Sequence, residues 1–181
     1  AAVKYYDAIE FADGMYDWVS EAVDGDFDFE VSVDETETPT SHLEHAFIAS
    51  ELDRRGVDVT SLAPRFVGSL EKGIDYIGDL DEFEAHLRGH HAIASTFGPY
   101  RLSLHSGSDK FSIYPSFEAH AEDLVHVKTA GTSYLEAVRV IAEHAPDLYR
   151  DIHEFALERF AADKATYHVN TDLSKVPDLE A

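Results

Sequence analysis

The 181-residue sequence contains no cysteine. This absence excludes disulfide bonds, thiolate metal ligands and cysteine nucleophiles, and it leaves the redox compartment undetermined. The sequence also has no apolar run close to the ~20 residues that span a bilayer, so we expect no membrane partner. The first residues, from Ala1 to Asp7, lack the pattern of a secretory signal, and the expected compartment is therefore the cytoplasm.

Basic residues are scarce. Fourteen Lys and Arg oppose 36 Asp and Glu, which gives a formal net charge of -22. Because phosphate binding needs a basic patch, we expect no nucleic-acid partner. An acidic surface with only six lysines suits a protein that stays soluble in concentrated salt. We interpret the composition as halophilic adaptation, with an acidic enzyme from an ordinary environment as the alternative.

What the sequence does contain is an alternation of strand patterns with helix patterns. Strict apolar/polar alternation predicts the first strand, and four short segments of mainly apolar residues predict four more. Capping boxes at Ser41–Glu44 and Ser133–Glu136 begin two of the helices. Strands are predicted at 27–34, 65–68, 101–105, 124–129 and 166–169. Helices are predicted at 3–22 with an interruption near Gly14, 41–56, 79–97, near 116–122, 133–145 and 146–163.

This alternation predicts βαβ units and a parallel sheet. The sequence has no Gly-x-Gly-x-x-Gly or Walker motif, which disfavours a nucleotide-binding doubly wound sheet. We therefore predict an α/β fold, a partial (β/α) barrel of the TIM type with parallel strands and flanking helices, in a single domain over 1–181. A complete barrel takes about 250 residues, so we expect the N-terminal part of the parent barrel to be absent.

Ionisable or metal-binding side chains lie at or just beyond every predicted strand. In parallel α/β folds the chemistry collects at the carboxyl ends of strands, so these side chains are expected to surround one site. The residues in question are Glu35, Arg65, His105, Lys128 with Thr129, and His168.

The most distinctive segment is Leu104–Phe111. Ser106 and Ser108 flank a glycine and can donate hydrogen bonds to a substrate, and Asp109 and Lys110 place an acid beside a base. The alternative is a plain strand-to-turn connection with solvated charges.

Neutral imidazole and carboxylate ligands suit zinc, manganese, cobalt or nickel. Glu35, His105 and His168 are the predicted ligands, while His126 shares a strand face with Lys128. The alternative for each histidine is an ordinary core or surface position. That alternative is the expected one for the histidines on predicted helices, which are His42, His45, His86, His90, His91, His120, His144 and His153.

Five stretches together resemble the tagaturonate epimerase family, over roughly residues 28–170. Some of these stretches are long and chemically unusual, which makes chance similarity a poor explanation. Members of the family are longer than this chain. The resembling stretches are Val33–Thr40, Leu62–Gly68, Glu71–Tyr76, Leu102–Pro115 and Val127–Tyr134.

The resemblance implies metal-dependent interconversion of D-tagaturonate and D-fructuronate by inversion at C4. A retro-aldol cleavage of C3–C4, with a divalent metal as Lewis acid, followed by re-addition would achieve this inversion. The roles that follow are a metal site at Glu35, His105 and His168, Asp109 as base, Lys110 or Lys128 as carboxylate or oxyanion partner, and Arg65, Ser106, Ser108 and Thr129 as substrate-binding residues.

Two other functions stay open from the sequence. One is another metal-dependent barrel enzyme on sugars, such as an aldolase or isomerase, with the same ligands and a different substrate. The other is a non-catalytic fragment that binds a partner or assembles into a homo-oligomer, because an incomplete parallel sheet leaves edges to cover.

Overall fold

The computed structural model describes residues 1–121, 124–166 and 171–177. Strands and helices alternate along most of this chain, and two short 3₁₀ turns follow at Lys164–Thr166 and Leu173–Lys175. The strands are β1 (Glu30–Ser32), β2 (Ser61–Ala63), β3 (Arg101–Leu104) and β4 (Val125–Val127). The helices are α1 (Ala2–Ala22), α2 (His42–Arg55), α3 (Leu80–Phe97), α4 (Tyr114–Ala121), α5 (Tyr134–His144) and α6 (Pro146–Asp163).

The chain divides into two compact units, Ala1–Ala130 and Gly131–Ala181. The first unit holds the sheet and α1 to α4. The second holds α5 and α6, which contact each other and bury none of their side chains. The expectation of a single domain over the whole chain stays a prediction.

The four strands form one parallel sheet in the order β1-β2-β3-β4. One row of the register runs from Val31 through Leu62 and Leu102 to Val125. Because spatial order follows chain order, each βαβ unit adds its new strand at the same growing edge. The predicted α/β class with a parallel sheet and flanking helices is confirmed.

One face of the sheet carries the apolar core. Leu62, Leu102 and Leu104 are fully buried there, together with side chains from the helices that connect the strands. Each such side chain contributes roughly 1.5–3 kcal/mol by leaving water. The helical contribution comes from Ile48, Ala49, Leu52, Phe83, Leu87 and Ala94. Since side chains alternate along a strand, the polar residues between these leucines lie on the other face.

Helix starts follow the predicted capping chemistry at two of three places. The Ser41 side chain accepts from the backbone N–H of Glu44, and the Glu44 carboxylate accepts from the N–H of Ser41, which confirms that capping box. Asp79 caps α3 in the same way through the N–H of Glu82. The box predicted at Ser133 is wrong, because Ser133 has helical dihedral angles and makes no side-chain cap bond.

Two other sequence predictions are corrected, and a third is tested at one residue only. The second strand is Ser61–Ala63 and not 65–68, because Pro64 has no N–H to continue the ladder. Helix α1 runs through Gly14 without interruption, since a single exposed glycine costs only about 1 kcal/mol relative to alanine. Thr166 lies in a 3₁₀ turn, and the remainder of the predicted strand at 166–169 falls outside the described residues.

Within the described ranges, no helix has both the length and the apolar character to cross a membrane.

Candidate active site

The polar face of the sheet carries a connected group of ionisable side chains. Glu30 begins β1, Asp34 follows it, and both lie on the face opposite Val31 and Val33, which are buried. By the same alternation His105 extends the polar side of β3. These positions bring side chains from different strands into direct contact.

His105 lies between two carboxylates. Its Nε2 is 2.8 Å from Glu30 Oε1, and its Nδ1 is 3.2 Å from Asp34 Oδ2. The ring is largely buried, with 9% of the side chain exposed, whereas the two carboxylates are partly open to solvent. Both ring nitrogens are therefore engaged while one edge of the group stays accessible.

Glu30 connects three strands through its carboxylate. Oε1 contacts His105, and Oε2 accepts from the Ser61 hydroxyl at 2.6 Å and contacts His126 Nδ1 at 2.9 Å. The same His126 nitrogen is 2.9 Å from the hydroxyl of Ser103, which is buried. One carboxylate on β1 thus orders side chains on β2, β3 and β4.

The charges of the group follow from these contacts. Burial works against ionisation of Glu30, but hydrogen bonds from Ser61 and His105 outweigh it and lower the pKa of Glu30 to about 2. Asp34 is partly buried too, and its bonds from His105 and Ser32 lower the pKa of that carboxyl. For His105, burial opposes the charged form, but the two carboxylates raise the pKa of the imidazole overall.

This arrangement suits proton transfer and metal binding. The two carboxylates favour the protonated form of the His105 imidazole, and these three groups can exchange a proton among themselves. Two imidazoles and two carboxylates are also the donor set that zinc, manganese, cobalt and nickel accept.

Lys110, predicted as catalytic, is fully buried in the loop after β3. Its Nζ donates to three backbone carbonyls, those of Ser108 at 2.8 Å, Glu71 at 2.7 Å and Ile74 at 2.5 Å. Burial lowers the pKa of Lys110, although nearby carboxylates including Asp109 counter it. An ammonium has three N–H donors, so this geometry uses all of them to tie the loop to the segment after β2.

The rest of the loop is also tightly constrained. The Ser108 hydroxyl donates to the Ala130 carbonyl at 2.9 Å and accepts from the Ala130 N–H at 3.0 Å. A side chain at Gly107 would lie 2.5 Å from Val127 Cγ1, so a residue larger than glycine does not fit. Ser106 and Asp109 have positive φ angles, and Asp109 Oδ2 is buried without a hydrogen-bond partner in the described structure.

The other predicted site residues lie at different distances from the group. Lys128 is exposed at the end of β4, and its charge acts on His105. Thr129 and Glu35 are exposed as well. Arg65 is half-buried, and its backbone pairs with Thr40. His168 lies outside the described residues.

Sequence reasoning confined to strand ends missed Glu30, Ser61 and Ser103. Glu30 and Ser61 begin their strands, and Ser103 lies within β3. The strict alternation of 27–34 contained the signal for Glu30, because it places Glu30, Ser32 and Asp34 on one face.

Comparison with known proteins identifies the family of this chain. A family model described as tagaturonate epimerase matches residues 1–181. The chain belongs to the tagaturonate epimerase family. A curated relative from Thermotoga maritima, named tagaturonate/fructuronate epimerase, is 57% identical over 180 residues, which are 99% of this chain and 37% of that protein.

Solved structures of the family show the same fold. The native crystal structure of fructuronate-tagaturonate epimerase UxaE from Cohnella laeviribosi superimposes with a TM-score of 0.91 at 48% identity, as does a complex of that protein with one glycerol. Both cover 97% of this chain and 36% of the solved chain. The chain therefore spans little more than a third of the length of its relatives in the tagaturonate epimerase family.

Proposed function

We propose that this chain forms part of the reaction site of a metal-dependent enzyme that interconverts D-tagaturonate and D-fructuronate at C4. The observation that carries the proposal is His105, held between Glu30 and Asp34 on the polar face of the sheet. The name of the relative from Thermotoga maritima, tagaturonate/fructuronate epimerase, supports the choice of uronates over the sugar phosphates of an aldolase.

The architecture supports a segment of a (β/α) barrel. In such a barrel, parallel strands follow each other in chain order and the helices cover only the outer face. The order β1-β2-β3-β4 and the helical core on one face have this form. The polar face would then line the barrel interior, and the remaining strands would come from other parts of the whole protein.

The reaction requires a change of configuration at a carbon that the C2 ketone does not acidify. Removing the C4 hydroxyl proton lets the C3–C4 bond break, with the C4 oxygen becoming an aldehyde and the electron pair moving toward the C2 carbonyl. Rotation of the aldehyde and re-formation of C3–C4 invert C4, and the proton returns to the C4 oxygen. The site must therefore supply a proton acceptor and groups that stabilise negative charge.

The residues of the polar face suit these tasks. Glu30 and Asp34 engage both ring nitrogens of His105 and are themselves partly open to solvent. Either carboxylate could take the C4 hydroxyl proton, and His105 would hold the two carboxylates in place and relay the proton between them. Lys128 is an exposed cation at the end of β4 and would bind the uronate carboxylate. The hydroxyls of Ser61 and Ser103 keep Glu30 and His126 in place.

A divalent metal fits this donor set. Glu30 contacts both His105 and His126, and Asp34 adds a further carboxylate oxygen. A ligating nitrogen of His105 would have to give up its bond to one of the carboxylates. Bound there, the ion would act as a Lewis acid toward substrate oxygens. The predicted ligands Glu35 and His168 stay part of the proposal as additional candidates.

The remaining assignments also stay predictions. Asp109 is proposed as an alternative base, because its buried Oδ2 has no hydrogen-bond partner among the residues that the structure describes. The hydroxyl of Ser108 and the ammonium of Lys110 are fully engaged with the main chain, which favours a supporting role in holding the loop that follows His105. Arg65, Ser106 and Thr129 are proposed to contact substrate.

The test is an epimerase assay of the whole protein that contains this chain, with D-tagaturonate and D-fructuronate as substrates. We expect activity that a chelator removes and one of Zn²⁺, Mn²⁺, Co²⁺ or Ni²⁺ restores, and that His105→Asn abolishes. Full activity of His105→Asn would refute the site. A preference for sugar phosphates would favour the aldolase or isomerase alternative, and absence of metal and substrate binding would favour the fragment.

A further inference from the structure

A second group of histidines lies in the helical layer, on the other side of the sheet from His105. His42 comes from α2, and His86 and His90 come from α3. One ring nitrogen of each lies within 4.8 Å of the others. His86 and His90 are four residues apart, which places them one turn apart on the same helical face.

His42 is held against α3 by its ring. Its Nε2 donates to the backbone carbonyl of His86 at 3.0 Å, which leaves a lone pair on Nδ1 because a carbonyl only accepts. A Cβ at Gly89 would lie 2.2 Å from His42 Nε2. The glycine therefore makes the room in which the His42 ring lies.

His90 is fully buried, and only one of its ring nitrogens has a partner. Nδ1 is 2.8 Å from His45 Nδ1, and His45 Nε2 is 2.7 Å from the Tyr100 hydroxyl. In the part of the chain that the structure describes, His90 Nε2 and His86 Nδ1 are buried and make no hydrogen bond of good geometry, although the backbone of Thr40 lies close enough to act on the pKa of both rings. Buried polar atoms are nearly always satisfied, so two orphans in one group point to a ligand.

We propose that His42, His86 and His90 form a binding site for a divalent transition-metal ion, separate from the site on the polar face of the sheet. Three imidazoles without a carboxylate suit Zn²⁺, Co²⁺, Ni²⁺ or Cu²⁺ rather than Mg²⁺ or Ca²⁺. Three protein ligands leave the remaining coordination position to water.

His45 and Tyr100 would hold the ring of His90 in a fixed orientation for metal binding. If His90 binds metal through Nε2, its Nδ1–H donates to His45 Nδ1, and His45 Nε2–H donates to Tyr100. The hydrogen bonds from His90 through His45 to Tyr100 can run in either direction, and metal binding at His90 Nε2 would fix that direction. Burial, reinforced by the neighbouring histidines, lowers the pKa of His90 to about 2 and also lowers that of His86, so both rings are neutral as ligation requires.

The site has a consequence for the fold. It joins the first turn of α2 to the middle of α3, and His42 is exposed whereas His90 is buried. An ion could therefore enter from solvent and bind the two helices together. We infer a stabilising metal site that is independent of the reaction proposed above.

The test uses the 181-residue chain and a titration with Co²⁺ and Zn²⁺, followed by calorimetry and by the visible absorption of Co²⁺. We expect one binding event that persists in His105→Asn and is weakened at least tenfold in His86→Gln. The matched control is His91→Gln, on the same helix outside the group, which is expected to bind like the parent. At a hundredfold excess over Kd, the metal is expected to raise the thermal midpoint by roughly 5–10 °C.

Gly89→Ala separates a metal site from a packing role. Alanine favours the helix, so the metal-free protein is expected to fold at least as well as the parent. The new methyl group displaces the His42 ring, and Co²⁺ affinity is expected to fall at least tenfold. Equal binding by the parent, His86→Gln and Gly89→Ala, or no binding that survives in His105→Asn, would overturn the proposal.

Discussion

His105 and His90 lie on opposite sides of one sheet and have opposite acid-base behaviour. His105 is held between two carboxylates that raise its pKa, whereas His90 is buried among other rings, and this burial lowers its pKa to about 2. The side chain is the same, so the neighbours decide its chemistry. Carboxylates favour the protonated form of His105, and burial favours the neutral form of His90.

The largest effect is expected when a carboxylate that contacts His105 is removed. Glu30→Gln removes the charge that orients His105 and His126, and we expect kcat for epimerisation in the whole protein to fall about 10²–10⁴-fold. Glu35→Gln is the matched comparison, because Glu35 was the predicted ligand and is exposed. A larger loss in Glu35→Gln than in Glu30→Gln would favour the ligand set predicted from sequence.

The next effect concerns the loop that follows His105. Lys110→Met leaves three carbonyls without their donor, two of them in buried contacts, so we expect the free energy of unfolding to fall by roughly 2–4 kcal/mol. Urea denaturation measures this change, with the exposed Lys175→Met as a control that stays within about 0.5 kcal/mol. If Lys110→Met kept full stability and lost only activity, Lys110 would be catalytic as the sequence predicted.

The third prediction concerns the buried histidines His45 and His90 in the metal-free protein. The pKa of His45 is lowered to about 3 and that of His90 to about 2, against 6.5 in the unfolded chain. Below pH 6.5 the unfolded state therefore binds protons first, and stability declines as pH falls. From pH 7.5 to 6.0 the two rings together are expected to cost about 1–2 kcal/mol.

Denaturation at both pH values with a chelator present measures this loss. His45→Gln is expected to remove about half of it, because one of the two titrating rings is gone. An unchanged pH dependence in that variant would mean that these rings are not responsible.

The smallest effect compares two sequence motifs of the same form. Ser41 caps the helix that carries His42 and His45, so Ser41→Ala is expected to cost about 1 kcal/mol by thermal or urea denaturation. Ser133→Ala removes no cap bond and is expected to change stability by less than about 0.5 kcal/mol. Equal losses would show that the Ser133 box forms in solution.

The sequence predicted the fold better than it predicted the site. Local rules placed the Ser41 capping box and the helix after Asp79, because both depend on contacts within one turn. The same rules misplaced the second strand. The apolar pattern continues on both sides of Pro64, so the strand was predicted at 65–68, but Pro64 ends it at Ala63. His105 was found because it ends a strand, but Glu30 begins one and was missed.

By itself the sequence determined the α/β class, the acidic and cysteine-free composition, and a resemblance whose residues, 28–170, were specific enough to indicate the family. Only the tertiary structure decided which side chains meet. Glu30 is 75 positions from His105, and His42 is 44 positions from His86. Such contacts depend on strand register and helix packing, which local patterns in a single sequence do not specify.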